Sequence, residues 1–345
     1  MLKASFQKHT LHFKQPGGTS RGVLTTKDLW LLKIWDKKSP DIVGTGECSI
    51  IYGLSPDPMG QYEAKLNDLV NNINHLQNVD LTTFPSIRFG LETALLDLRT
   101  GGNGILYPSA FTNGKMSIPI NGLVWMGNAD FMRKQIVEKL KFGFDCIKLK
   151  IGAINFEEEL SLLKMIRKEF NENDLELRVD ANGAFNPDEA LEKLNRLSEY
   201  SIHSIEQPIM PGQWDSMTTL CKTSPIDIAL DEELIGLADI QVSTMLDAIH
   251  PQYIILKPSL LGGFQRSKLF ISEAKKRNIG WWVTSALESN IGLNAIAQWT
   301  ATLNNPMPQG LGTGSLFTNN FPSALKIVKG GKLKYQIEWR MENEK

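Results

Sequence analysis

From about residue 116 onward, short apolar runs alternate with amphipathic stretches of helical length. The apolar runs are "SIPINGLVW", "CIKLKIG", "ELRVDAN", "SIEQP", "IDIALDEE", "YIILKPS", "IGWWVTSAL" and the weaker "PQGLGTG". Their length and composition predict strands. Between them, "FMRKQIVEKLKFGF", "FEEELSLLKMIRKEF", "NPDEALEKLNRLSEY", "LADIQVSTMLDAI", "FQRSKLFISEAKKRN" and "GLNAIAQWTATL" place apolar residues three and four apart, the period of a half-buried helix. "NPDEA" adds a start signal, with Asn186 as cap and Pro187 in the first helical position. Repeated strand–helix units favour a parallel sheet, and about eight of them favour a closed (β/α)8 barrel. An open doubly wound sheet would want a glycine-rich fingerprint after its first strand, and the sequence has none there.

Residues 1–115 do not share the rhythm. "LWLLKIWD" and "VGTGECSIIYGLS" have the alternation of a strand meander, followed by helical "YEAKLNDLVNNINHL" and "SIRFGLETALLDLRTG". This is α+β material ahead of a barrel that spans 116–315. Residues 316–345 end in "ALKIVKGGKLKYQIEW", a hairpin pattern around Gly330–Gly331, expected to pack back on the N-terminal unit.

Composition changes this picture little. Of 345 residues, 37 are basic and 38 acidic, for a formal net charge of −1 without a basic patch or acidic run; nucleic acid and anionic membranes are not the expected partners. The polar N-terminus lacks the apolar core of a signal peptide, and no apolar stretch is long enough to cross a bilayer. Cys48, Cys146 and Cys221 are scattered, which disfavours a disulfide framework or thiolate zinc site. A soluble cytoplasmic protein is the expectation, with oligomeric state open.

The chemistry lies at the strand ends. In "CIKLKIG", Lys148 and Lys150 alternate on one face of an apolar strand, although lysines are rarely buried without a partner. The following strands end in Asp180, Glu206, Asp231 (beside Glu232 and Glu233) and Lys257, and the intervals from 180 to 257 are 26, 25 and 26 residues. Each interval is one strand–helix unit, so these side chains should share the C-terminal rim, where barrels build their active sites. Three neighbouring carboxylates repel one another unless a cation neutralises them, and all-oxygen ligation with open positions suits Mg²⁺. Lys150 and Lys257 would flank the metal, where a depressed pKa would let a lysine act as a base. Lys148 would stand behind Lys150 and help keep its pKa low, and it is also a candidate substrate contact. Any one strand-end acid is more often a turn residue or helix cap; it is the register of the whole set that argues for a site.

"KLKIG", "RVDANGAF", "IEQP", "ALDEE" and "ILKPSLLGG" resemble the enolase superfamily, muconate-lactonizing subgroup, over nearly the whole chain. The resemblance implies an α+β capping domain on a modified (β/α)7β barrel, with "GECSIIYGLS" as the cap loop over the substrate. It implies Mg²⁺, with Mn²⁺ as a substitute, on Asp180, Glu206 and Asp231, and Lys150 and Lys257 as the catalytic lysines. Within the subgroup, "KPSLLGG", "TSALESNIGL" and the acid-free "GLGTGSLF" resemble members that dehydrate 2-succinyl-6-hydroxy-2,4-cyclohexadiene-1-carboxylate to o-succinylbenzoate in menaquinone biosynthesis. There Lys150 would take the proton α to the ring carboxylate, the metal would stabilise the enediolate, and Lys257 would stay cationic. Ser285, with Gly312 and Thr313 of "GLGTG", would hold the succinyl carboxylate, although a tight strand-to-helix turn explains those residues equally well. Asn182 is a candidate to orient Lys150 or a metal ligand, although Asn182–Gly183 is also an ordinary turn pair; Glu288 is a rim residue or helix cap, and Arg21 a cap-loop or solvated arginine. Trp281–Trp282 is read as packing. Two other readings stay open: a racemase of N-acylamino acids or dipeptides using both lysines, and a non-catalytic barrel acting as a scaffold.

Overall fold

The computed structural model describes residues 1–19 and 22–337, so Arg21 lies outside the described residues. Three long antiparallel strands, β1 (Leu2–Thr19), β2 (Gly22–Asp36) and β3 (Ser39–Ser49), form the N-terminal sheet. Helices α1 (Tyr62–Asn71) and α2 (Pro85–Arg99) follow. Trp30, Leu32 and Ile34 of β2 pack with Tyr62, Leu66 and Leu69 of α1 and Ala94 of α2 in a core separate from that of the barrel. Contact between α2 and β3 is made by glycine. A Cβ on Gly46 would lie 1.9 Å from the Gly90 carbonyl, and one on Gly44 2.1 Å from that of Ala94.

The second unit opens with β4 (Ser117–Pro119) and β5 (Gly122–Val124), into which the predicted first strand is divided. Six strand–helix steps follow: α3 (Ala129–Phe142), β6 (Cys146–Lys150), α4 (Phe156–Glu169), β7 (Glu176–Asp180), α5 (Pro187–Ser198), β8 (Ser204–Glu206), α6 (Trp214–Thr223), β9 (Asp227–Leu230), α7 (Asp239–Ile249), β10 (Tyr253–Leu256), the short α8 (Pro258–Leu261) with α9 (Phe264–Lys275), and β11 (Gly280–Val283) with α10 (Asn290–Thr302). Strands β5 to β11 lie side by side in sequence order in one parallel sheet. Asn186 caps α5 through the Asp188 N–H, with Pro187 in the first turn. The predicted eighth strand, rich in glycine, is reduced to two parallel bridges, Gln309 with Ile120 and Gly310 with Thr284. Through them the edges near β5 and β11 meet, giving a curled α/β sheet of the (β/α)7β kind.

The tail departs from expectation. Residues 316–321 do lie on the N-terminal sheet, with Lys14 N–H bonded to the Leu316 carbonyl and Phe317 packed on Leu11 and Leu29. The hairpin, β12 (Leu325–Val328) and β13 (Lys332–Tyr335), instead pairs with β4 at the barrel's entrance. There it satisfies an edge that would otherwise expose unpaired backbone, and it buries Leu333 and Tyr335 in the barrel core.

Because backbone meets backbone at the α2–β3 contact, Gly46→Ala must push the helix off the sheet. Chemical unfolding should report a loss of about 3 kcal/mol, whereas Gly60→Ala, with open space around its Cβ position, should change stability little.

Candidate active site

The C-terminal ends of the sheet bring the charged residues together in register. Lys150 pairs with Asp180, and Asp180 with Glu206, across three adjacent strands. Asp231 and Lys257 are the residues immediately after β9 and β10. Asp180, Glu206 and Asp231 are all at most 2% exposed, and Lys148 and Lys257 are buried.

These charges compensate one another. The Lys148 ammonium donates to Asp180 Oδ2 at 2.9 Å and to Glu206 Oε2 at 2.5 Å. Lys150 donates to Asp180 Oδ2 at 2.5 Å and to Asn182 Oδ1 at 2.7 Å, and Lys257 donates to Asp231 Oδ2. Asn182 adopts a left-handed conformation (φ 46°). Its amide also donates to Glu232 Oε1 at 3.0 Å, so it holds the lysine as the sequence suggested. Burial alone would lower the pKa values of Lys148 and Lys257, but the neighbouring carboxylates, Asp180 and Glu206 for one and Asp231 and Glu206 for the other, outweigh it and raise both. Burial opposes ionisation of Asp180, yet the charges of Lys148, Lys150 and Lys257 hold its carboxyl well below the usual range. Glu206 is pushed the other way, by burial and then by the Asp180 charge.

Among the described residues, no three metal-ligating side chains converge as a closed shell; the lysine ammoniums lie between the carboxylates. The donor set nevertheless fits a hard divalent cation. Glu206 Oε1 is buried without a hydrogen-bond partner, and Lys257 Nζ is 4.0 Å from it. Three buried carboxylates on neighbouring strands offer only oxygen.

A pocket opens over these groups. Its floor is Lys148, Lys150, Asn182, Glu232 and Lys257, and one wall is Thr284, Ser285, Gly310, Gly312 and Thr313. Apolar residues close it from the N-terminal unit (Leu24, Ile51, Leu54) and from the end of the first barrel strand (Leu123, Trp125). All four predicted pocket residues, Lys148, Ser285, Gly312 and Thr313, therefore line it. The Ser285 and Thr313 hydroxyls lie 2.6 Å apart. Glu288 is not the cap of α10, a role Ser289 takes; it accepts from Ser259 Oγ and, at 2.8 Å, from the Ala286 N–H. Glu233 accepts from Gln207, Gly212 and Trp214 and so fixes the chain after β8. Trp282 is barrel packing under Arg178, whose guanidinium lies 4.2 Å from the ring centroid. Sequence reasoning missed Lys27, Glu47 and Thr284, whose positions carry no local signal beyond an alternating strand.

Residues 131–332, more than half of the chain, match the family described as "Enolase C-terminal domain-like", and the chain belongs to the enolase superfamily. The o-succinylbenzoate synthase of Desulfotalea psychrophila is 49% identical, the match covering 96% of this chain and 98% of the relative. The crystal structure of MenC from the same organism matches with a TM-score of 0.88 at 46% identity, over 96% of this chain and 99% of that one. Within the superfamily the chain therefore stands with the o-succinylbenzoate synthases, a group of lyases. The dipeptide epimerase of Enterococcus faecalis, solved with Mg and the dipeptide L-Leu-L-Tyr, matches with a TM-score of 0.82 at 18% identity over 97% of each chain. That likeness carries the fold alone.

The chain from Ile51 to Asp57, which supplies two of the apolar pocket residues, is anchored by a buried carboxyl. Asp57 Oδ1 accepts from the Ser86 N–H and Oγ at the start of α2, at 3.1 and 2.7 Å. Burial raises the Asp57 pKa to about 6. Between about pH 4 and pH 6 the folded chain thus keeps a proton that the unfolded chain has released, and stability falls as pH rises, by up to about 3 kcal/mol. Urea titrations at pH 4, 5, 6 and 7 should show this slope in the wild type and its loss in Asp57→Asn, which should be the more stable protein at pH 7.

Proposed function

We propose that the chain converts 2-succinyl-6-hydroxy-2,4-cyclohexadiene-1-carboxylate to o-succinylbenzoate and water. The supporting observation is the in-register row Lys150–Asp180–Glu206, with Lys257 lining the same pocket. The reading carries the family's setting with it: a Mg²⁺ enzyme (Mn²⁺ substituting) of menaquinone biosynthesis, working in the cytoplasm on a small-molecule carboxylate. It also divides the chain at about residues 115 and 315 into cap, barrel and tail.

Asp180, Glu206 and Asp231 would hold the cation, which supplies positive charge where the substrate carboxylate becomes more negative. Lys150 acts as the base that takes the proton from the ring carbon bearing that carboxylate. Asn182 fixes its side chain from the other side, so the nitrogen is aimed before the substrate arrives. The C–H electron pair moves into the ring, the C–O bond to the ring hydroxyl breaks, and the leaving oxygen takes the proton back from Lys150 as water. Lys257 stays cationic through the step, because the buried carboxylates around it hold its pKa up, and it offsets developing negative charge from the opposite face. The ring gains aromaticity as water leaves.

A racemase would use the same first proton transfer but return the proton through Lys257. A dipeptide substrate would also bring an ammonium group, and "GLGTGSLF" at 310–317 offers no acid to meet it.

Two variants test the reading. Lys150→Ala should lower kcat by at least about 10³-fold, as expected for loss of the proton-transfer group. Lys257→Ala should lower it comparably by removing the opposing charge. Turnover is followed by the appearance of the aromatic product. A wild type inert on this substrate, but exchanging the α-proton of N-acylamino acids or dipeptides in D₂O, would replace the dehydratase with the racemase.

A further inference from the structure

Lys27 is a buried lysine whose hydrogen bonds go to Ser49, Ala286 and Leu287 rather than to the strand-end carboxylates, and the reaction as described makes no use of it. It lies on β2 of the N-terminal unit and is only 3% exposed. An ammonium has three donors, and Lys27 spends all of them. Two go to consecutive backbone carbonyls of the barrel, Ala286 and Leu287, both at 2.7 Å; the third goes to Ser49 Oγ on β3 at 3.2 Å.

The carbonyls it holds belong to the segment that follows β11, and Ala286 and Leu287 both line the pocket. Leu287 is in the left-handed region at φ 60°, a conformation costing a branched-chain residue about 1 kcal/mol. Such a conformation persists only where its surroundings enforce it. The enforcement is visible residue by residue. The Ala286 N–H is held by Glu288, the Leu287 N–H by Ser285 Oγ, and the Ser289 N–H by Glu47 of β3. Glu47 also accepts from the Gly292 N–H, at 2.9 Å. Lys27 and Glu47 thus grip the same barrel segment from neighbouring strands of the cap, one by its carbonyls and the other by its N–H groups.

We propose that Lys27 is a positioning residue for the dehydration. It locks the rim segment 285–289 in the strained conformation that sets Ala286 and Leu287 as the pocket wall on the β11 side, away from the carboxylates of β7 to β9. Docking of the cap and shaping of the subsite for the substrate's distal arm are then a single event. The identity of that arm as succinyl rests on the dehydratase reading; the mechanical part does not.

The test uses the full chain and two readouts. Hydrogen exchange without substrate, followed over peptides covering 284–292, should be at least about ten-fold faster in Lys27→Met than in the wild type, with peptides of β6 to β9 unchanged. With the cyclohexadiene substrate, KM should rise at least about ten-fold while kcat stays within about three-fold, because binding geometry is lost and Lys150 is not. Unchanged exchange in a folded variant, or a loss of kcat at constant KM, would overturn the proposal. If Lys27→Met does not fold, Lys27→Arg decides. It keeps the buried charge, but its planar fork cannot serve the same three acceptors; KM should rise at least about three-fold, and an unchanged KM rejects the proposal. If the wild type fails to turn over the substrate, the dehydratase reading falls, and the exchange measurement still judges the role of Lys27.

Discussion

Everything at the barrel rim depends on charge compensation in a place that excludes water. Three buried carboxylates on adjacent strands are unstable neighbours at low effective dielectric, and three lysines make them tolerable. The arrangement is asymmetric. Asp180 receives two ammoniums and is held ionised, whereas Glu206 shares one ammonium and keeps an oxygen with no hydrogen bond. The cluster is therefore compensated but incomplete, and Glu206 Oε1 is the oxygen left over. The same lysines that stabilise the fold around this cluster stand where proton chemistry would occur.

The cap contributes more than a cover. Its strands reach the barrel through two buried charged side chains, Lys27 and Glu47, that bind backbone rather than each other. Backbone groups have fixed positions, so such contacts specify register as well as attraction. Its own helix is seated on β3 through glycines that permit no gap. Cap sheet, cap helix and rim segment are thus linked by direct contacts, and the apolar residues Leu24, Ile51 and Leu54 line the pocket from the cap.

Much of this was legible in the sequence, for physical reasons. Strand period two put Lys148 and Lys150 on one face, and the near-constant spacing of Asp180, Glu206, Asp231 and Lys257 followed from one repeated strand–helix unit. What stayed hidden depended on partners distant in the chain. The hairpin was readable from its own pattern, but its pairing with β4 was not, because any exposed edge would serve. Glu288 and Ser289 are both able to cap a helix, and only the placement of Ser259 and Glu47 decides between them. Lys27 looks like any strand lysine until the barrel segment it holds is brought beside it.

Metal binding tests the account most directly. Calorimetric titration of the purified chain with Mg²⁺ should show one ion bound per chain, and Glu206→Gln should weaken that binding at least about 100-fold by removing a charged ligand at the least compensated point of the cluster. Binding of equal strength in Glu206→Gln, or no binding to the wild type at millimolar Mg²⁺, would contradict the assignment of this rim as a metal-assisted acid–base site.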